Sequence, residues 1–213
     1  AGGGPTFKTF GTSSIMVGDN ATGTIDAANY NSGFGVDVFA DLTTGDYNTA
    51  LGYAALSNTT TANENTSVGY ESLLSNTTGQ YNTACGSNAL FTNTTASNNV
   101  AVGRLALYAN TTGTYNVAVG KSAMAANTTA SNNTALGYQA LDSNTTGSSL
   151  VAVGTNAMGL NVGGNTNVAV GVDALRSNTS GSLNVALGTN ALYSNTTGSG
   201  NTGIGVTALY NDT

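Results

Sequence analysis

Hydrophobic and polar positions along this chain follow a period of 17 residues. Short apolar runs such as "NVAVGKSAM" at 116–124 and "NTALGYQAL" at 133–141 return at this interval, each around one glycine. Twelve such anchor glycines are separated by eleven intervals of 17 residues, without insertion or deletion. A strict period predicts that each residue stacks on its equivalent in the next turn of a solenoid. The anchors are Gly18, Gly35, Gly52, Gly69, Gly86, Gly103, Gly120, Gly137, Gly154, Gly171, Gly188 and Gly205.

The residues around each anchor, numbered here from the anchor glycine, form columns with distinct chemistry. Position −1 is apolar or Cys in every repeat, and position −2 is Ala, Gly or Ser in eleven of twelve. Position +3 is small and position +4 is large and apolar, each in eleven of twelve repeats. In N-V-A-V-G the two Val face one side and the Ala faces the other, because side chains alternate along a strand. We expect the Val, Leu and Ile columns to form internal stacks, with the following x-A-L-x run as a second strand.

These columns predict an all-β fold, a parallel β-solenoid of about twelve 17-residue coils. Seventeen residues cannot hold a helix–turn–helix pair, and Gly, Asn and Thr are poor helix formers. The stretch "SNTTGS" combines Ser, Asn, Thr and Gly and is typical of a corner. Residues 1–17 lack the pattern and are predicted to be an N-terminal cap or linker, whereas 18–213 form the repeat domain.

Glycine and asparagine columns are the candidate structural ladder of this solenoid. An anchor glycine marks a position where a Cβ would clash or where φ must be positive. Asn fills position −4 in ten of twelve repeats, and stacked Asn side chains can bond the turns above and below. A second Asn column runs at Asn76, Asn93, Asn110, Asn127, Asn144, Asn161, Asn178 and Asn195. The ladder residues that we single out are Gly52, Gly69, Gly86, Gly103, Gly120, Gly137, Gly154, Gly171, Gly188, Gly205, Asn116, Asn133 and Asn184.

Composition narrows the partners of such a coil. Only 7% of the 213 residues are charged and the net charge is −6, which argues against nucleic-acid binding. No run of 18 apolar residues predicts a membrane-spanning helix. The lone cysteine, Cys85, stands in the −1 column and is expected to be a buried, inert thiol. Asp37, Asp41 and Asp46 crowd one coil, where they form either a cation site or a solvated rim.

The small columns point to association of identical coils. Each turn offers few large apolar positions, and a single narrow coil buries little area. Small residues allow close approach of backbones, either inside a thin roll or between chains around an axis. A parallel homo-oligomer is therefore expected, with three chains as the natural count.

The motif N-V-A-V-G-x-x-A-L resembles the head repeat of YadA-like trimeric autotransporter adhesins. The longer form N-T-A-L-G-Y-Q-A-L-x-S-N-T-T-G also resembles repeats of phage tail-fibre-like proteins, and the likeness covers about residues 14 to 213. It implies a left-handed β-roll, a trimer and an extracellular location on a cell surface or a virion tail fibre. The adhesin repeat is about three residues shorter, so the Asn-Thr-Thr-Gly corner has no counterpart there.

The expected function is a structural and adhesive segment of an extracellular fibre, with itself and a host-surface glycan or receptor as partners. The chain has no His, no phosphate-binding loop after a strand and no repeated acidic pair, so no enzyme, cofactor or metal site is predicted. Two alternatives remain open. An ice-binding solenoid would use the Thr column at 60, 77, 94, 111, 128 and 145, and a carbohydrate-binding one the exposed Tyr47, Tyr81 and Tyr115 or Tyr53, Tyr70 and Tyr138.

Overall fold

A computed structural model describes residues 6–10, 14–18 and 27–211 of the chain. These residues form thirteen strands and no helix. The strands are β1 Thr6–Phe10, β2 Ser14–Gly18, β3 Ser32–Phe34, β4 Thr49–Leu51, β5 Thr66–Val68, β6 Thr83–Cys85, β7 Val100–Val102, β8 Val117–Val119, β9 Thr134–Leu136, β10 Val151–Val153, β11 Val168–Val170, β12 Val185–Leu187 and β13 Thr202–Ile204.

The strands form one sheet in sequence order, and the chain is a β-solenoid of about eleven turns. β2 to β13 pair in parallel, each residue with its equivalent 17 positions on, as Val117 pairs with Thr134. This register follows from the unbroken period, because an insertion in any coil would slip every later pair. β1 pairs antiparallel with β2 and ends the sheet, so the boundary expected after residue 17 lies inside β2.

The expected second strand is wrong, because each coil turns where x-A-L-x was placed. Residues at +2, +4 and +12 adopt φ between 49° and 62°, the left-handed region, in coil after coil. Leu73 at +4, for example, has φ 49° and is fully buried. A left-handed conformation costs an L-residue about 1–2 kcal/mol, and burying a leucine side chain contributes about 1.5–3 kcal/mol. Burial of the side chain therefore offsets the strain of the turn.

The core is narrower than expected and excludes the valine columns. Buried positions are the Ala at −2 and +3, the Leu or Met at +4 and the Asn at −4 and +7. The Val, Leu or Ile at −3 and −1 point outward, and Leu136 keeps 47% of its surface exposed. A Cβ added at Gly33 would lie 2.9 Å from Val38 and 3.1 Å from Phe39 of the same coil. The interior beneath the strand is thus filled already and admits only small side chains.

One coil shows how tightly the two small columns face each other. Ser67 at −2 and Ser72 at +3 replace the usual pair of alanines, and both are fully buried. Their hydroxyls are hydrogen-bonded to each other, and the Ser67 hydroxyl also donates to the Ser72 carbonyl at 2.8 Å. The two replacements occur together because either serine alone would lose this buried partner.

Candidate functional site: the ladders and the outer strand face

The anchor glycines allow adjacent coils to approach closely. Their φ values lie between 122° and 142° from Gly35 to Gly205. A Cβ at Gly120 would lie 2.3 Å from the carbonyl oxygen of Gly137 in the next coil. Conformation and close approach therefore both require glycine. Gly18 lies at the end of β2, and most of its coil is outside the described residues.

The −4 asparagines form a continuous ladder through the core. The Oδ1 atom of Asn116 accepts a hydrogen bond from the backbone N–H of Asn133 at 3.1 Å, one coil further on. The Nδ2 atom of Asn116 donates to the carbonyl of Ala130 in its own coil at 2.9 Å, and Asn184 donates to Gly198 at 2.8 Å. Each side chain thus joins two coils and also ties one coil to itself. Leu150 interrupts the column, and only its backbone N–H continues the ladder, to Asn133 at 3.0 Å.

The +7 asparagines form a second ladder through their side chains alone. Asn93 Nδ2 donates to Asn76 Oδ1 at 2.9 Å, and Asn110 repeats the bond to Asn93 at 3.0 Å. Every one of these side chains from Asn76 to Asn195 also donates to the +10 carbonyl of its own coil, at 2.9–3.2 Å. No buried side-chain nitrogen or oxygen among the described residues lacks a partner. Both Asn columns are therefore occupied by internal hydrogen bonds.

The outward side of the strands carries the exposed apolar surface, which we call the outer strand face. It consists of positions −3 and −1 of β3 to β13, from Phe34 to Ile204, with position +12 of the preceding coil and position +1 at its two margins. Phe34 is 59% and Ile204 68% exposed, and Val102, Val117 and Val170 are also exposed. Two apolar columns thus run the length of the rod without a covering layer in the single chain.

Cys85 lies on this face, and the expectation of a buried thiol is wrong. The thiol occupies position −1 of β6 and is exposed, between Val68 and Val102 of the neighbouring strands. Sequence reasoning placed it inside because it assigned the whole −1 column to the core.

Aromatic side chains stack along the axis wherever two follow each other in one column. The ring centroids of Tyr30 and Tyr47 lie 4.9 Å apart, with an interplanar angle of 6°. The pairs Tyr53–Tyr70, Phe91–Tyr108 and Tyr193–Tyr210 stack in the same way at 5.0–5.4 Å. Lys121 lies over the ring of Tyr138 at 5.6 Å, which is a cation–π distance. In each stacked pair one face of each ring is covered by its neighbour.

The threonine column that suggested ice binding is used within the coil. The hydroxyls of Thr60, Thr77, Thr111 and Thr128 each donate to the carbonyl of the equivalent residue one coil on, at 3.0–3.3 Å. The adjacent +9 threonines are exposed at the same corner. The two columns therefore lie side by side on a bend rather than on a flat strand.

Acidic groups are scattered over the surface. Among the described residues no three His, Cys, Asp or Glu side chains are placed to hold a metal ion, and Asp46 instead accepts the backbone N–H of Asn29 at 2.6 Å. The hydrogen bond and charge of Glu71 raise the pKa of the Tyr70 hydroxyl, and burial raises the pKa of Asp142. The part of the chain that the structure describes contains no helix able to cross a membrane.

No protein-family model, curated protein or solved structure matches this chain. The site is therefore interpreted from its own geometry.

Proposed function

We propose that this chain is a structural and adhesive segment of an extracellular fibre, in which identical coils associate in parallel through the outer strand face. The association is a trimer of left-handed rolls located on a cell surface or a virion tail fibre, and the chain performs no catalysis. The resemblance to adhesin head repeats supports the handedness and the number of chains.

The observation that carries the proposal is the exposed double column of Val, Leu, Ile and Phe side chains. Exposed apolar patches that are continuous and bordered by polar residues mark association surfaces. Here the apolar columns at −3 and −1 are bordered by Tyr, Asn and Thr at +12 and +1, the order found from the centre to the rim of an interface. Parallel association around an axis covers both columns along their whole length.

Length and regularity are the second support. At about 4.8 Å per coil, eleven intervals make a rod of about 53 Å. Two hydrogen-bonded Asn ladders and the paired strands bind each coil to the next along this rod. Such an array carries load along its axis and displays the same surface side chains at every step.

The ice-binding alternative has less support. A surface that matches a lattice needs side chains of uniform size, whereas the −1 column mixes Phe34, Cys85, Val102 and Leu136. The Thr hydroxyls at +8 are donors within the coil itself.

Sedimentation of the folded chain and one pair of variants tests the proposal. The wild-type assembly should have about three times the 21.1 kDa mass of the chain. Leu136→Asp should dissociate it and leave the β signal intact, because this side chain points outward. Thr129→Asp places the same charge on an exposed corner and should leave the mass unchanged. A folded wild-type monomer contradicts the proposal.

A further inference from the structure

A second, longer period runs along one margin of the outer strand face. Position +12 reads Tyr47, Glu64, Tyr81, Asn98 and Tyr115 in five consecutive coils, so a tyrosine recurs every 34 residues. The +10 position alternates between Gly and Ala in step with it. Columns that stabilise stacking repeat in every coil, whereas this one places a large ring and a short polar side chain in alternation. We call these five side chains the tyrosine comb.

The rings of the comb face along the rod axis. Tyr47 stacks on Tyr30 with parallel planes at 4.9 Å, so the opposite face of Tyr47 looks toward the coil of Glu64. The backbone is equivalent at Tyr47, Tyr81 and Tyr115, with φ 60°, 59° and 58°. Two strand spacings separate successive comb tyrosines, about 9.6 Å. One flat ring midway would lie about 4.8 Å from each tyrosine, within the range of stacked rings.

The gap between Tyr47 and Tyr81 has a polar floor. An open cavity of about 520 Å³ is lined by Tyr47, Glu64 and Thr66, and all three side chains are exposed. The Glu64 carboxylate accepts hydrogen bonds, and the Thr66 hydroxyl donates or accepts them. The next gap, between Tyr81 and Tyr115, has Asn98 and the apolar Val100 in the corresponding places.

We propose that the gap between Tyr47 and Tyr81 binds one pyranose ring of a saccharide. The two tyrosine faces contact the C–H faces of the sugar ring, while its hydroxyl edge reaches Glu64 and Thr66. This combination fits a ligand that is apolar on its flat faces and hydroxyl-rich at its edge. An aromatic side chain from a second copy would fill the same space, but it would bury the Glu64 carboxylate without a partner, which is costly. The inference rests on the adhesive part of the proposed function.

The position of the comb keeps it compatible with association of the chains. The comb lies at the margin of the outer strand face, two residues before the apolar −3 column. Interface rims stay accessible to solvent when the apolar centre is covered. The gap at Asn98 offers the same two walls with one fewer hydroxyl partner, so it should bind the same ligand more weakly.

Saturation-transfer NMR on the native assembly tests the proposal, with cellohexaose, maltohexaose and chitohexaose as probes. At least one should bind with millimolar affinity and show contact at the protons of its ring faces. Glu64→Tyr should weaken this binding about ten-fold or more, because the new ring fills the gap as Tyr30 and Tyr47 already stack. Asn132→Tyr is the matched control: it adds a ring in the same column beside Tyr115, outside both gaps, and should leave binding unchanged.

Three results would overturn the saccharide site: no binding of any probe, equal binding by Glu64→Tyr and wild type, or loss of binding in Asn132→Tyr. A change of sedimentation mass in Glu64→Tyr without a change in saccharide binding would assign the gap to a contact between chains and also overturn it. The fibre proposal fails separately. A monomer that binds the probe contradicts the association of chains and leaves the saccharide site standing.

Discussion

Asn82 and Asn93, eleven residues apart in one coil, both donate a side-chain N–H to the carbonyl oxygen of Ala96, at 2.8 and 3.0 Å. One carbonyl thus joins the two Asn ladders and closes the corner of the coil. Asn99 and Asn110 meet at Gly113 in the same way, at 2.9 and 3.0 Å. The Asn-Thr-Thr-Gly/Ala corner is held by this shared acceptor, which accounts for the conserved spacing of the two Asn columns within each repeat.

The shared acceptor predicts how substitutions in the ladder rank. Asn116→Asp replaces a donor with a charged acceptor that faces the Ala130 carbonyl, and should destabilise the chain by about 3–5 kcal/mol at pH 7. Asn116→Leu leaves one backbone N–H without its acceptor and should cost about 1–3 kcal/mol, partly offset by apolar burial. Leu150, buried in the same column, is the natural precedent for the second change.

The same pair has a distinctive pH dependence. Burial raises the folded-state pKa of the carboxyl that Asn116→Asp introduces, since only the protonated form can donate to the carbonyl. The stability of Asn116→Asp relative to wild type should therefore be highest below its unfolded pKa of about 3.9 and fall as pH rises through the folded pKa. Chemical unfolding at pH 3 and pH 7 measures this. An Asn116→Asp deficit that does not change with pH would contradict the ladder account, and Asn116→Leu is the pH-independent control.

Two glycines with similar φ separate the cost of conformation from the cost of close approach. Gly120 and Gly205 have φ 136° and 122°, but only at Gly120 does an added Cβ meet a neighbouring coil. Gly205→Ala should cost only the strain of its φ, about 1–2 kcal/mol. Gly120→Ala should cost distinctly more and Gly120→Val should disrupt the stack, as measured by thermal unfolding. Equal losses at Gly120→Ala and Gly205→Ala would mean that the coils do not approach as closely as described.

The 17-residue period was readable from the sequence, and the inside of the coil was not. The anchors predicted the parallel stack because a constant interval leaves one register. Alternation in N-V-A-V-G shows only that Val and Ala face opposite sides, and hydrophobicity then favoured Val inside. The structure reverses this because the buried +3 and +4 side chains, such as Ala123 and Met124, already fill the space behind the strand. The turn at +2 to +4 was also missed, since a leucine in left-handed conformation leaves no signal in propensity.

The tyrosine comb could have been found from the sequence by asking for a period of 34 as well as 17. TTGDYN, TTANEN, TTGQYN and TTASNN follow one another at the corners of successive coils. The sequence alone does not show that the rings face along the axis. That follows from the stacked pair Tyr30–Tyr47, whose planes differ by 6°.

Deletion of one repeat should leave the rod folded. Removing residues 116–132 restores every column across the join, because Tyr115 is then followed by Asn133 in the same register. Removing only residues 116–123 shifts all later columns and should abolish cooperative unfolding beyond the cut. Circular dichroism and the steepness of thermal unfolding compare the two. Equal damage would mean that the deleted coil has a unique role.

Cross-linking of Cys85 tests the central claim, that the outer strand face joins parallel copies in register, most directly. The thiol lies in the middle of an apolar column, so parallel association brings equivalent thiols of different chains to one height along the rod. A short bis-maleimide should link Cys85 to Cys85 in the native wild-type assembly, giving a band at twice the 21.1 kDa chain mass on a denaturing gel. The same reagent should give no such band with Leu136→Asp. A wild-type chain that stays uncross-linked, with Cys85 as open to thiol reagents as in Leu136→Asp, would contradict the claim.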